Sequence, residues 1–123
     1  MGTYRYNLAF MNEKIFQSEV PSVSRMVEDV VGCKWSLAVL GLVHRGVRRP
    51  GAMEHAIPGL TAKVLNERLR KLMKYGIIDK TSFPEIPPRV EYMLTDFGTR
   101  FLAILDQIDK LQDELGASSQ EDR

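Results

Sequence analysis

Four polar side chains recur every three or four residues along one short stretch, and their types are those that contact nucleic acid. Lys63, Asn66, Arg70 and Lys74 fall on one side of a helix at about 100° per residue, and Glu67 lies beside them. Arginine, lysine and amide side chains bind base edges in a major groove and the phosphates next to it. The pattern predicts a helix face that contacts DNA, with an ordinary solvated helix face as the alternative.

Residues that could support catalysis or bind a metal are sparse. His44 and His55 are far apart along the chain, and Cys33 is the only cysteine, so the sequence contains no cluster with metal-ligand spacing. It also lacks a glycine-rich phosphate loop and a set of nucleophile, base and orienting group. We therefore predict no enzymatic activity, no bound metal and no cofactor.

The distribution of charge says more than its sum. The 123 residues form a single domain by length and carry a net charge of +1. The segment from Lys34 to Lys74 contains nine lysines and arginines but only two acidic residues, whereas the segment from Asp96 to Arg123 contains three lysines and arginines and seven acidic residues. A basic middle segment offers a surface to a polyanion, unless the charges cluster by chance.

The composition also bears on the compartment. No apolar run approaches the roughly 18 residues of a membrane span, and the N-terminus lacks the basic and apolar regions of a signal peptide. A single cysteine excludes an internal disulfide and is typical of a reducing compartment. We expect a cytoplasmic, nucleoid-associated protein that does not contact a membrane.

The DNA-contacting face requires a helix with defined ends, and the sequence supplies both. Thr61 is suited to the N-cap, because its hydroxyl can accept a hydrogen bond from an unpaired backbone N–H group. Gly76 is suited to the position after the last turn, where the left-handed conformation favours glycine. Leu65, Leu69 and Leu72 form an apolar stripe on the opposite face. We therefore predict a recognition helix over residues 61–75.

Three helices are predicted before it. Pro21 begins the first, which ends at Gly32; the second runs from Lys34 to His44 and is apolar on most sides, which is typical of a core helix. A short helix follows at residues 50–56, and the break at residues 57–60 leads directly into Thr61. A short helix, a Pro-Gly turn and a capped amphipathic helix make a helix-turn-helix.

The residues after Gly76 predict a two-stranded hairpin. Residues 77–83 form the first strand, and Val90, Tyr92 and Leu94 alternate with polar or exposed positions in the second. The prolines between them cannot donate to a strand ladder and so lie in the connection. A hairpin after a recognition helix makes a winged helix. The predicted fold class is α+β, mostly α: a winged helix-turn-helix.

The final helix begins at Thr95-Asp96 and carries apolar residues at alternating spacings of four and three. Such an a/d seam, held from Phe97 to Leu115, predicts a dimerisation helix, with a long helix that packs on its own chain as the alternative. The predicted domain spans residues 21–115, followed by a flexible tail over 116–123. Residues 1–20 are predicted to be an N-terminal arm that either forms a short strand or packs on a partner.

Several blocks of the sequence resemble those of the HxlR-type winged helix-turn-helix regulators, within the MarR-like superfamily. The block GCKWSL at 32–37 resembles the family's GGKW block, and PEIPPRVEYMLT at 84–95 is close to PEVPPRVEYSLT. Further blocks with the same resemblance lie at 48–49, 57–61, 65–72 and 75–78. The resemblance covers residues 21–108 and implies a homodimer that binds double-stranded DNA at a near-palindromic operator. In that family the first and last helices pair the subunits.

Ten residues are expected to contact DNA, in four groups. Base edges are assigned to Lys63, Asn66 and Arg70 on the first half of the recognition helix. The remaining residues on and before this helix are expected to contact phosphates, except Ala62, which is expected to contact a thymine methyl group. For Lys71 and Lys74 the alternative to a phosphate contact is a solvated side chain. The wing contributes Arg89 to the minor groove, or to a structural ion pair with Glu85 or Glu91. The full set is Arg48, Arg49, His55, Thr61, Ala62, Lys63, Asn66, Arg70, Lys74 and Arg89.

The dimer interface is assigned to apolar residues of the first and last helices: Val23, Met26, Val27, Val30, Phe101, Ile104, Leu105, Ile108, Leu111 and Leu115.

Two departures from the family pattern concern cysteine. The family's redox-active cysteine position is Val20 here, and Cys33 replaces the second glycine of the GGKW block. Cys33 is therefore the one candidate for redox chemistry, with a buried inert thiol as the alternative. Trp35 is assigned to packing, with stacking on a ligand as the alternative. A small-molecule effector would bind beneath the N-terminal helices. The alternative to a DNA-binding regulator is a winged-helix module that binds protein.

Overall fold

The computed structural model describes residues 21–121 and shows five helices and one antiparallel hairpin. The elements are α1 (Val23–Val31), α2 (Lys34–His44), α3 (Pro50–Ala56), α4 (Ala62–Lys74), β1 (Ile78–Phe83), β2 (Arg89–Leu94) and α5 (Asp96–Glu121). Their order is that of a winged helix-turn-helix, which confirms the predicted fold class. The predicted arm over residues 1–20, which includes Val20, lies outside the described residues.

The first helix begins slightly later than predicted. Ser22 adopts an extended conformation and accepts a hydrogen bond from the backbone N–H of Arg25 at 3.1 Å, so it is the N-cap of α1. Pro21 therefore precedes the cap and does not start the helix, because the serine hydroxyl satisfies an N–H group that would otherwise be unpaired. Gly32 ends the helix as predicted.

The core is built around α2, as its apolar sequence predicts. Val39 and Leu40 are fully buried, and α1, α4 and β2 pack against this helix. The buried apolar side chains are Met26, Val30, Val39, Leu40, Leu42, Val43, Met53, Leu60, Leu65, Leu69, Leu72, Ile77, Ile78, Tyr92, Phe101 and Leu105. Every described helix and both strands contribute, so α4 is held on the core along its whole inner face.

The wing is a two-stranded antiparallel hairpin joined to α4 by a single turn. Gly76 has φ +76°, the left-handed conformation predicted for the residue after the C-cap. Strand pairing runs from Ile78 opposite Leu94 to Phe83 opposite Arg89. The backbone N–H of Tyr92 donates to the carbonyl of Arg48 at 2.8 Å, which ties the segment before α3 to β2.

The start of α5 is fastened to the end of α4. Thr95 caps α5 by accepting from the N–H of Gly98 at 2.9 Å, and its own hydroxyl donates to the carbonyl of Gly76. Gly98 lies so close to the chain that a Cβ built on it would be 1.9 Å from the carbonyl oxygen of Ile77. The wing, the recognition helix and α5 therefore meet at one point.

The last helix is longer than predicted. It continues through Gly116 to Glu121, whereas the sequence pattern places the end of the domain at residue 115. The apolar seam ends at Leu115, but a helix continues past its apolar residues as long as the next residues form the backbone hydrogen bonds. All side chains from residue 106 to 117 are exposed, so the second half of α5 extends away from the core of its own chain.

Candidate nucleic-acid interface

The recognition helix has the cap and the two faces that its sequence predicts. The hydroxyl of Thr61 accepts from the backbone N–H of Val64 at 3.2 Å, which fixes the first turn. Leu65, Leu69 and Leu72 are at most 1% exposed and anchor the inner face on the core. The six predicted contact residues of this segment are all exposed: Thr61, Ala62, Lys63, Asn66, Arg70 and Lys74.

The turn before α4 is fixed by packing. Met53 of α3 is fully buried, and Leu60 of the turn is nearly so. Gly59 has φ +85°, and the ring of Trp35 lies 3.6 Å from where its Cβ would be, so this position combines a left-handed backbone with a close aromatic neighbour. Trp35 is half-buried against the core, which agrees with the packing role predicted for it. His55 is exposed on α3.

The two arginines before α3 stand beside the wing. Both side chains are exposed, and the Arg48 carbonyl accepts the hydrogen bond from Tyr92 described above. The Nε of Arg49 is 3.8 Å from a carboxylate oxygen of Glu91 on β2. The structure therefore brings the Arg48-Arg49 segment to the base of the hairpin, a contact between residues far apart in sequence.

Arg89 of the wing is held by partners within its own hairpin. Its Nη2 is 2.8 Å from Glu85, its Nη1 is 2.9 Å from Glu91, and its guanidinium lies 3.9 Å from the centroid of the Phe83 ring. Both carboxylates considered as partners from the sequence are thus engaged at once. This geometry favours the structural ion pair over the minor-groove role in the isolated chain.

A polar cluster that sequence reasoning missed ties the end of α4 to α1. Asp29 accepts from the ammonium of Lys71 at 2.8 Å and from the hydroxyl of Tyr75. The hydrogen bonds from Lys71 and then Tyr75 hold the pKa of Asp29 below its ordinary value of 3.8. Burial, followed by the hydrogen bond to Asp29, raises the pKa of Tyr75 to about 12. Lys71 is therefore occupied within the chain, which leaves Lys74 as the cation of the last turn that points outward.

Arg68 lies apart from the exposed outer face of α4. Its side chain is half-buried, and its Nε has no hydrogen-bond partner within residues 21–121. Its charge contributes to the lowered pKa of Asp29.

Cys33 is half-buried at the N-cap of α2. Burial raises the pKa of its thiol, but the polar groups of Ser36 and the backbone N–H of Trp35 at the start of α2, together with the charge of Arg68, outweigh burial and lower this pKa below its ordinary value of 9.0. A redox role for Cys33 stays a prediction.

The apolar residues assigned to a dimer interface divide into two groups. Met26, Val30, Phe101 and Leu105 lie in the core of their own chain and present almost no surface to a second subunit. Val27 is half-buried, and the other five are exposed: Val23, Ile104, Ile108, Leu111 and Leu115. The surface on which a second subunit can pack is thus narrower than the sequence pattern indicates.

The described part of the chain offers little for a metal or an enclosed ligand. No group of three or more His, Cys, Asp and Glu within residues 21–121 could hold a metal ion, and none of the described helices could cross a membrane. An open cleft of about 460 Å³ lies between α2 and α5, lined by Leu37, His44 and Leu102 among others. The cleft borders α2, one of the N-terminal helices beneath which an effector was expected, and effector binding stays a prediction.

Comparison with known proteins is consistent across sequence and structure. Residues 30–120 match the family model described as HxlR-like helix-turn-helix. The chain is 45% identical over 85 residues to an uncharacterized HTH-type transcriptional regulator of Synechocystis, covering 69% of this chain and 63% of that protein. It is 34% identical over 94 residues to the uncharacterized HTH-type transcriptional regulator YvaP of Bacillus subtilis, covering 76% and 87%. The chain thus spans slightly less than two thirds of the Synechocystis protein.

Solved structures show the same architecture. A protein assigned to the MarR family of transcriptional regulators, from Enterococcus faecalis V583, superposes with a TM-score of 0.74 at 25% identity, covering 98% of this chain and 97% of that one. The reduced form of the transcriptional regulator YodB from B. subtilis superposes with a TM-score of 0.65 at 26% identity, covering 73% of this chain and 88% of that one. These relatives and structural neighbours are all named as transcriptional regulators.

Proposed function

The chain belongs to the HxlR-like helix-turn-helix family, and on this premise we propose that it is a homodimeric transcriptional regulator that binds double-stranded DNA at a near-palindromic operator. The observation that carries the proposal is the exposed face of α4. This helix is capped at Thr61, anchored by three buried leucines, and directs Lys63, Asn66 and Arg70 away from the core.

In this proposal α4 enters the major groove. Lys63, Asn66 and Arg70 contact base edges, Thr61 contacts a phosphate, and Ala62 contacts a thymine methyl group. These are short side chains at the helix tip and long ones further along, which suits a helix that enters the groove at its N-terminal end.

Phosphate contacts frame the recognition helix. Arg48, Arg49 and His55 are exposed on the segment leading to and through α3, and Lys74 is exposed at the far end of α4. Such contacts give affinity and register, and they make binding strongly dependent on salt. The wing, residues 83–90, lies near the minor groove beside this segment.

The second subunit packs on α5 and α1. Four exposed apolar residues recur along one face of α5: Ile104, Ile108, Leu111 and Leu115. From residue 106 to residue 117 no side chain of this helix is buried by the rest of its own chain. Pairing two such helices buries this face and presents two recognition helices to two half-sites. An effector that changes this pairing remains an open prediction.

The test is binding to the DNA fragment upstream of the protein's own gene, measured by fluorescence anisotropy across a salt series. Lys63→Ala/Arg70→Ala should weaken binding to this fragment by about 100-fold, and binding to a scrambled duplex by much less, because base-edge contacts contribute only at the specific site. Lys110→Ala, which removes an exposed cation from α5, is the matched control. Equal binding of the wild-type protein to both duplexes would contradict the proposal and favour a protein-binding module.

A further inference from the structure

The arginine at the end of the wing is paired within the hairpin. Arg89 contacts both Glu85 and Glu91, whereas Arg49 lies 3.8 Å from Glu91 with a side chain that is 59% exposed and so remains accessible to a phosphate. From Thr81 to Pro88 the sequence contains no lysine or arginine. The end of the hairpin therefore has no unpaired cation with which to displace counterions from a phosphate.

Arg89 is also poorly placed to leave its partners. Its side chain is 27% exposed, its two terminal nitrogens face carboxylates, and one face of its guanidinium is covered by Phe83. Reaching a groove would break both charge-assisted hydrogen bonds and the stacking contact, and it would leave Glu85 unpaired and Glu91 with only the longer contact to Arg49. The contacts instead join residues 83, 85 and 91 of the hairpin to one another through Arg89.

The end of the hairpin is apolar and stiff. The side chain of Ile86 is fully exposed at 101%, and Pro84, Pro87 and Pro88 surround it in the chain. Proline fixes φ, so little conformational freedom remains to be lost when this turn packs on another molecule. A fully exposed isoleucine held by such a turn is available for contact.

The position of this apolar end relative to the candidate interface indicates what it contacts. Ile86, Pro87 and Pro88 line one side of a cleft of about 340 Å³ whose other side is Arg49 and Pro50 at the start of α3. Arg49 is one of the proposed phosphate contacts, so Ile86 lies next to the path of the DNA backbone. Proteins that use the minor groove frequently place isoleucine or proline against its floor or between base steps.

Resting on the proposed function, we propose that the wing contacts the minor groove through Ile86, and that Arg89 is a positioning residue that neutralises Glu85 and Glu91 and does not contact DNA. The wing then senses the shape and deformability of the groove and contributes little to the salt dependence of binding. The charged contacts are left to α4 and to the Arg48-Arg49 segment.

The first arm of the test concerns Ile86. In the anisotropy assay with the upstream fragment, Ile86→Ala should weaken binding about tenfold, the loss expected for partial burial of one isoleucine, with an unchanged slope of log affinity against log salt. Met93→Ala removes an exposed apolar side chain from the base of the same hairpin and should change affinity less than about twofold. Wild-type affinity in Ile86→Ala would overturn the proposal.

The second arm concerns Arg89. The double substitution Arg89→Gln/Glu85→Gln keeps the net charge of the wing, so the salt slope should equal that of the wild type. A slope shallower by about two, one for each subunit of the dimer, would show that Arg89 contacts a phosphate and would overturn the positioning role. If the Lys63→Ala/Arg70→Ala variant loses specific binding while Ile86→Ala does not, the wing proposal fails alone. If the wild-type protein does not bind the fragment, both proposals fail together.

Discussion

Asp29 joins the end of the recognition helix to α1. It sits on α1 and accepts from Lys71 and Tyr75, which occupy the last turn and the C-cap of α4. One carboxylate thus holds the end of the DNA-contacting helix against a helix proposed to pair the subunits.

We predict that Asp29→Asn lowers the free energy of unfolding at pH 7 by about 1 kcal/mol. This value is the contribution of a charge-assisted hydrogen bond, reduced because the pair is partly exposed to solvent. Because the folded-state pKa of Asp29 is lowered, its contribution is present above its ordinary value of 3.8 and is lost as the pH falls through the folded-state pKa. Urea denaturation at pH 7 and near pH 2.5 measures both stabilities.

The control is Glu28→Gln, which removes the neighbouring exposed acid. It should leave the stability at pH 7 within about 0.5 kcal/mol of wild type. A stability deficit in Asp29→Asn that is as large at pH 2.5 as at pH 7 would count against the ion pair as its cause.

Among the elements, the junction of wing and α5 is the most tightly constrained. Thr95 bonds to the backbone of Gly76 and Ile77 while it caps α5, and Gly98 leaves room for the Ile77 carbonyl. The hairpin therefore leaves α4 and returns to α5 at one place, which sets the angle of the wing to the recognition helix.

We predict that Gly98→Ala lowers the free energy of unfolding by about 3 kcal/mol, because its Cβ would overlap a backbone oxygen that no side-chain rotation can move away. Gly116→Ala in the same helix is the matched control. Its Cβ would meet open space, so the better helix propensity of alanine should leave stability unchanged or raise it by up to about 1 kcal/mol.

Thermal unfolding monitored by circular dichroism compares the two glycine variants directly. Equal melting temperatures for Gly98→Ala and Gly116→Ala would show that α5 can shift at no cost, and that the close approach to Ile77 does not constrain the junction.

For the whole molecule, the charge and the apolar surface are separated. The basic residues cluster in the helix-turn-helix, whereas residues 104–115 of α5 include exposed leucines and isoleucines together with Asp106, Asp109 and Asp113. Exposed apolar side chains that recur along one face of a helix are typical of an interaction site. The proposed dimer covers it.

We predict that Ile108→Glu converts the dimer to monomers and weakens binding to the upstream fragment by more than about 100-fold, since the second half-site then binds independently. Sedimentation velocity gives the mass, and anisotropy gives the affinity. Asp113→Lys, on the opposite side of the same helix, is the control and should remain dimeric. A monomeric wild-type protein at micromolar concentration would refute the assembly.

The sequence by itself determined the elements and their order. Caps and periodicity are local properties, so Thr61, Gly76 and Thr95 mark helix ends correctly, and the alternation of Val90, Tyr92 and Leu94 marks a strand. The outer face of α4 follows from its spacing alone. The boundaries that differ, at Ser22 and after Leu115, differ because helix ends depend on single hydrogen bonds that compete with the pattern.

Only the tertiary structure decided which partner each side chain takes. Apolar periodicity cannot say whether Met26 or Phe101 faces its own core or a second subunit, and both face their own core. A charge pattern likewise cannot say that Lys71 is bound to Asp29, or that Arg89 holds two carboxylates at once. These contacts join residues that are distant in the chain or brought together by a turn, and their geometry exists only after folding.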